Sequence, residues 1–118
     1  MRILIVEDSP LVQSMYGLAF PQRQHELVAA RNGREALARL DDGRFDVILL
    51  DLRMPDMDGV AFLRAAAGRL GAVPVVLTTV EPDGSELLAE ARALGVAAVV
   101  KKPWKPKELR DLVEALVR

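Results

Sequence analysis

Asp46-Val47-Ile48-Leu49-Leu50-Asp51 is the stretch that decides the fold. Four consecutive apolar residues between two aspartates are too few for a helix and show no alternation of apolar and polar positions. A strand of this kind is buried on both faces, as happens when helices cover both sides of a parallel sheet. Working outward, Ile3–Val6, Pro74–Leu77 and Ala97–Val100 repeat the pattern, and Glu26–Ala30 is a weaker version of it.

Helical patterns fill the intervals. Ser9 followed by Pro10 supplies an N-cap and a proline at the first helical position, and Leu11, Met15 and Leu18 fall at i, i+4 and i+7 as one apolar face. Asn32 with Glu35 resembles a capping box ahead of Ala36, Leu37 and Leu40. Asp58-Gly59 opens a helix carrying Phe62, Leu63 and Leu70 that is expected to stop near Gly68 or Gly71. Asp83 with Glu86 reads as another capping box, before Leu87, Ala91 and Leu94. Pro106 starts the last helix, with Leu109, Leu112, Val113 and Leu116 on its apolar side. The order is β-α five times, an α/β doubly wound sheet.

The chain has 118 residues, enough for one domain with one sizeable core. It is 51% hydrophobic and 28% charged, with 16 basic and 17 acidic residues and a net charge of −1. That balance gives no reason to expect direct binding to nucleic acid or a membrane surface. The absence of cysteine excludes disulfides and thiolate metal sites and, with no leader-like or spanning apolar stretch, leads to the expectation of a cytoplasmic protein. All four lysines lie at Lys101, Lys102, Lys105 and Lys107. His25 is the only histidine, expected in a surface loop and without partners for a zinc site.

In a parallel sheet the residues that follow the strands meet at one rim. Here they are Glu7 and Asp8, then Asp51, then Thr78-Thr79, then Lys101-Lys102. Each alone has an ordinary explanation: an acid can cap a helix, a threonine suits a strand and Lys-Pro suits a turn. Together they put three carboxylates, a hydroxyl and an ammonium at one place. Two carboxylates about 5 Å apart repel by roughly 3 kcal/mol at an effective dielectric of about 20. A hard cation relieves that repulsion, and oxygen ligands favour Mg²⁺, with Mn²⁺ as a substitute. Beside such a cation a carboxylate can act as nucleophile in phosphoryl transfer, with lysine and threonine binding the phosphoryl oxygens.

These stretches resemble the response-regulator receiver domain of two-component signalling, over essentially all of residues 1–118. The resemblance rests on Ile3-Leu4-Ile5-Val6-Glu7-Asp8, on Asp46 to Asp51 continued by Leu52-Arg53-Met54-Pro55-Asp56-Met57-Asp58-Gly59, on Pro74-Val75-Val76-Leu77-Thr78-Thr79 and on Lys101-Lys102-Pro103-Trp104. It implies a flavodoxin-like fold of five helices and a five-stranded sheet in the order 2-1-3-4-5. It implies that Asp51 is phosphorylated by a histidine kinase or a histidine phosphotransfer protein. Asp8 and Asp51 would hold Mg²⁺ directly, Glu7 through water and Arg53 through its backbone carbonyl. Thr79 would be the switch hydroxyl, Lys102 the phosphate-binding lysine and Lys102-Pro103 a cis bond, with Lys101 turned away. The changed surface, around the last two helices and the fifth strand, would bind a target, the protein acting as a monomer or a phosphorylation-linked dimer. No turnover activity is implied beyond its own phosphorylation and dephosphorylation, and no output domain follows within these residues.

The sequence departs from the family pattern at Val80, after the switch threonine, where a small residue is usual, and at Val99, where an aromatic switch is common. Trp104 stands where phenylalanine is common and is expected to pack under the last helix. Arg53 and Glu81 fall at positions that tune phosphate lifetime, and their opposite charges are expected to pair across the mouth of the site and hinder water. The rival expectation is a phosphorylation-independent interaction module of the same fold. A hydrolase using aspartyl-phosphate chemistry would need a second acid where Arg53 stands.

Overall fold

Strands β1 (Arg2–Val6), β2 (Glu26–Ala30), β3 (Val47–Asp51), β4 (Val75–Thr79) and β5 (Ala98–Lys101) alternate with helices α1 (Pro10–Ala19), α2 (Gly33–Arg39), α3 (Gly59–Ala65), α4 (Glu86–Ala93) and α5 (Pro106–Val117). They are seen in a computed structural model that describes every residue from Met1 to Arg118. All strand pairs are parallel and the order is β2-β1-β3-β4-β5, the doubly wound sheet expected. The chain steps from β1 to β2 on one side and to β3 on the other. A crevice therefore opens beyond the carboxyl ends of β1 and β3.

Alternation along the strands divides the core in two. Leu4, Val6, Ile48, Leu50, Val75 and Leu77 face Ala36 of α2, Phe62 and Leu63 of α3, and Leu88 and Ala91 of α4. Ile3, Ile5, Val47, Leu49 and Val76 face Tyr16 and Ala19 of α1, and Leu109 and Val113 of α5. All five residues of β3 are buried, as its unbroken apolar run requires. Trp104 is buried in the second core against Tyr16, with ring centroids 4.8 Å apart, so it packs under α5 as expected. No helix is long and apolar enough to cross a membrane.

The local signals hold at α1 and α2, where the Ser9 hydroxyl accepts the Val12 N–H and the Asn32 side chain accepts the Glu35 N–H. The face that α1 buries, the cap of α4 and the end of α3 need correction. Leu11 and Leu18 are 73% and 67% exposed, and α1 buries Tyr16 and Ala19 instead. Periodicity finds a stripe but cannot say which stripe meets the sheet. Ser85, not Asp83, caps α4, its hydroxyl accepting the Leu88 N–H at 3.2 Å. Asp83 pairs with Lys101 at 3.1 Å. Helix α3 ends at Ala65, and Leu70 lies in the turns beyond it, where Gly68 and Gly71 adopt positive φ. His25 lies in the loop before β2, as expected, but is half-buried there, with Nδ1 3.2 Å from the Met1 amine and its ring edge-on to Phe20.

The two leucine environments should separate in urea unfolding. Leu109→Ala, in the core, is expected to cost about 2–4 kcal/mol. Leu18→Ala, on the open stripe, is expected to stay within about 0.5 kcal/mol of the parent.

Candidate functional site

Alternation selects the side chains that enter the crevice. Ile3 and Ile5 face α1 and α5, so Glu7 continues that face, and Val47 and Leu49 place Asp51 there in the same way. Val6 pairs with Leu50, which sets Glu7 beside Asp51 one step further on. Carboxylate oxygens of Glu7, Asp8 and Asp51 all lie within 4.8 Å of one another. Glu7 and Asp51 are buried and Asp8 is exposed.

Lys102 reaches this cluster from the end of β5. Its Nζ lies 2.9 Å from Glu7 Oε1 and 3.2 Å from Asp51 Oδ1. Burial works against its charge, but the Glu7 and Asp51 carboxylates outweigh burial and hold the ammonium above its ordinary pKa. Lys101 turns to the other side, as alternation requires, where it meets Asp83 and the Glu81 carbonyl. The Lys102-Pro103 bond is cis.

Burial, reinforced by the charge of Glu7, pushes the Asp51 carboxyl up to about 6, against the pull of Lys102. Three carboxylates outnumber the one ammonium among them, so the cluster keeps a negative excess. Its donors are all oxygens, and a hard divalent cation fits both the donor set and the charge.

Neighbouring backbone and side chains fix these groups. The Ser9 N–H donates to Glu7 Oε2 at 3.1 Å, and the Gln13 side-chain amide donates to the Glu7 carbonyl at 2.6 Å. The last two letters of the Asp51–Gly59 motif have separate roles. Asp58 caps α3 by accepting the Ala61 N–H at 2.8 Å. Gly59 donates to the Leu52 carbonyl at 2.8 Å, and a Cβ there would stand only 3.0 Å from the Asp51 carbonyl oxygen. A side chain there would force the backbone that carries Asp51 to give way, which glycine avoids.

The two threonines differ. Thr78 is buried in register with Asp51, and its hydroxyl oxygen lies 3.5 Å from the Tyr16 hydroxyl that donates to it. Thr79 accepts the Glu81 N–H at 2.9 Å, which leaves its own hydrogen free to donate. At the mouth, Arg53 Nη2 donates to Glu81 Oε1 at 2.9 Å, so the expected pair forms. Ser85 Oγ donates to the same oxygen at 2.9 Å, a link with no signal in the sequence. Val80 projects outward, 70% exposed, and Val99 is half-buried against the core under α4.

The raised Asp51 pKa has a direct consequence for metal-free protein. A carboxyl titrating near 6 when folded, above its ordinary value of 3.8, contributes stability that is complete below about pH 4 and lost as pH rises through 6. Asp51→Asn removes that loss. In EDTA at pH 7.5 the variant should be more stable than the parent by roughly 1–3 kcal/mol, and the advantage should shrink at pH 4.5. A variant that melts at or below the parent temperature at pH 7.5 contradicts the carboxylate cluster.

Comparison with known proteins agrees with this geometry. The family model described as the response regulator receiver domain matches residues 3–114. The chain is 38% identical over 113 residues to the regulatory protein AtoC of Escherichia coli, covering 96% of this chain and 24% of that one. It is 32% identical over 117 residues to the DNA-binding response regulator MtrA of Mycolicibacterium smegmatis, covering 99% of this chain and 50% of the relative. The chemotaxis protein CheY4 of Vibrio cholerae superposes with a TM-score of 0.87 at 31% identity, covering 98% of this chain and 97% of that structure. The chain thus spans half or less of the length of these two curated relatives. The rim of acids, threonine and lysine sits on a fold and a sequence shared with these proteins, and the chain belongs to the response regulator receiver domain family.

Proposed function

We propose that this receiver works as a phosphorylation switch in which Asp51 accepts a phosphoryl group from a phosphohistidine on a histidine kinase or histidine phosphotransfer protein. The observation that carries the proposal is Lys102 Nζ, held between Glu7 and Asp51 at 2.9 and 3.2 Å. In the transfer an Asp51 carboxylate oxygen bonds to phosphorus, the phosphorus–nitrogen bond to the donor histidine breaks, and the imidazole leaves as the neutral base after taking a proton. The product is an aspartyl phosphate.

Asp8 and Asp51, with Glu7 through water and the Arg53 carbonyl, would hold Mg²⁺, which supplies charge neutralisation for the phosphoryl oxygens. Lys102 then exchanges a carboxylate partner for a phosphoryl oxygen, and the Thr79 hydroxyl donates to another. The phosphoryl group adds charge at the ends of β3 and β4 and shifts a two-state equilibrium of the α4-β5-α5 surface, which binds the target. The domain does no turnover chemistry in this reading and acts in the cytoplasm.

Helix α1 supports a docking site for the donor. It contains no charged residue, exposes Leu11 and Leu18, and begins directly after the acidic pair. An apolar stripe continuous with the phosphoacceptor crevice suits a helix that carries the donor histidine.

Intact mass after incubation with acetyl phosphate and Mg²⁺ tests the phosphoacceptor. A gain of one phosphoryl group (about 80 Da, or roughly 0.6% of the chain mass), absent with EDTA and absent in Asp51→Asn, is expected. No adduct, with acetyl phosphate or a panel of phosphorylated histidine kinases, would return the chain to the phosphorylation-independent alternative. Leu18→Glu should slow transfer from the cognate protein donor by at least about tenfold, the effect of losing one apolar contact of about 1.4 kcal/mol, while leaving acetyl phosphate labelling unchanged. An equal effect on both donors would remove α1 from the docking surface.

A further inference from the structure

Glu81 is engaged from four directions. Its N–H donates to the Thr79 hydroxyl oxygen at the end of β4. Its carbonyl accepts from Lys101 at the end of β5. Its carboxylate oxygen Oε1 accepts from both Arg53, two residues beyond Asp51, and Ser85, the N-cap of α4. Ser85 Oγ in turn accepts the Leu88 N–H at 3.2 Å. An unbroken chain of hydrogen bonds therefore runs from the loop carrying Arg53, through one carboxylate oxygen, to the first turn of α4. Val99, on the neighbouring strand, has no polar side-chain atom with which to join it.

The Arg53 side chain is 65% exposed, while that of Glu81 is 15% exposed. Arg53 is thus the solvent-facing partner and Glu81 the covered one. A guanidinium binds a phosphoryl group more strongly than a single carboxylate oxygen, because the group carries more charge and more acceptors in a geometry that matches its donors. Arg53 stands two residues beyond Asp51, on the loop that follows β3.

We propose that Arg53 is a shared ligand: Glu81 holds it before phosphorylation, the phosphoryl group on Asp51 takes it afterwards, and its departure leaves Glu81 Oε1 to Ser85 alone, which tightens the link that fixes the start of α4. This rests on Asp51 being the phosphoacceptor and adds the route by which its charge reaches α4. No covalent step beyond that transfer is involved. In this scheme Glu81 competes with the phosphoryl group for one cation. Removing Glu81 therefore strengthens phosphoryl binding, and removing Arg53 weakens it.

The test uses beryllofluoride with Mg²⁺ as the phosphoryl probe, after intact mass has established the acetyl phosphate adduct on Asp51. Affinity is measured by titration, and the exposure of α4 by hydrogen exchange at the Leu88 and Ala89 amides. Glu81→Gln should bind the probe roughly three- to tenfold more tightly and Arg53→Gln correspondingly more weakly, the size of effect that a single charge-assisted hydrogen bond produces. In the parent protein the probe should slow exchange at Leu88 about threefold or more, because a Ser85 hydroxyl that donates more strongly to Glu81 accepts more strongly from the Leu88 N–H. Ser85→Asp keeps a capping oxygen for the Leu88 N–H but cannot donate to Glu81, so exchange there should respond little to the probe.

Unchanged affinity in Glu81→Gln and Arg53→Gln would make the pair a static screen across the mouth and overturn the shared ligand. A parent-sized exchange response in Ser85→Asp would overturn the route to α4. Failure of Asp51 to take a phosphoryl group at all would overturn the phosphoacceptor and this inference with it, a result read separately in the mass spectrum.

Discussion

Three carboxylates held within 4.8 Å of one another are the constraint on which the rest of this molecule depends. Parallel pairing of β1 with β3 forces Glu7 and Asp51 together, and the buried setting makes their repulsion costly. Lys102 offsets part of it from β5, which requires that strand to end at the same rim. The two cores that flank the sheet serve this placement: β1, β3 and β5 bring Glu7, Asp51 and Lys102 to the crevice because their preceding residues are locked in alternation.

A cluster that is under-neutralised at rest suits a switch. Bound cation and phosphoryl group both change the local charge, and the side chains nearest that change have second partners elsewhere. Lys102 is bonded to Glu7 as well as Asp51, and the Thr79 oxygen is tied to the loop before α4. In the proposed switch, a change in the partners of these groups carries the effect away from Asp51 and toward the α4 end of the sheet. The mouth residues extend the connection through Glu81, a largely covered acceptor serving two elements at once.

Much of this was legible in the sequence. The continuous run Val47–Leu50 demanded a sheet covered on both faces, and parallel order then gathered the residues at the strand ends. The family resemblance singled out Lys102, and alternation then turned Lys101 away. What failed did so for physical reasons. Leu11 and Leu18 have the spacing of a core face, but spacing does not distinguish a stripe buried against the sheet from one left open. Asp83 and Ser85 are both good caps two residues apart, and the choice depends on Lys101, which draws Asp83 away. Gln13 and Ser85 support the site through neutral side chains that hydrogen-bond Glu7 and Glu81, and such residues carry no pattern that a sequence reveals. Gly59 is the opposite case: the motif marks it, and the structure supplies the reason, the close passage of the Asp51 backbone.

The most direct test of the central claim is calorimetric titration of Mg²⁺ into the parent protein, Asp8→Asn and Asp51→Asn. The cluster predicts a single site in the parent, lost or weakened by at least about tenfold in each variant through removal of one charged ligand. Equal Mg²⁺ affinity in all three proteins, or none in the parent, would contradict the view that these carboxylates form one cation-dependent site.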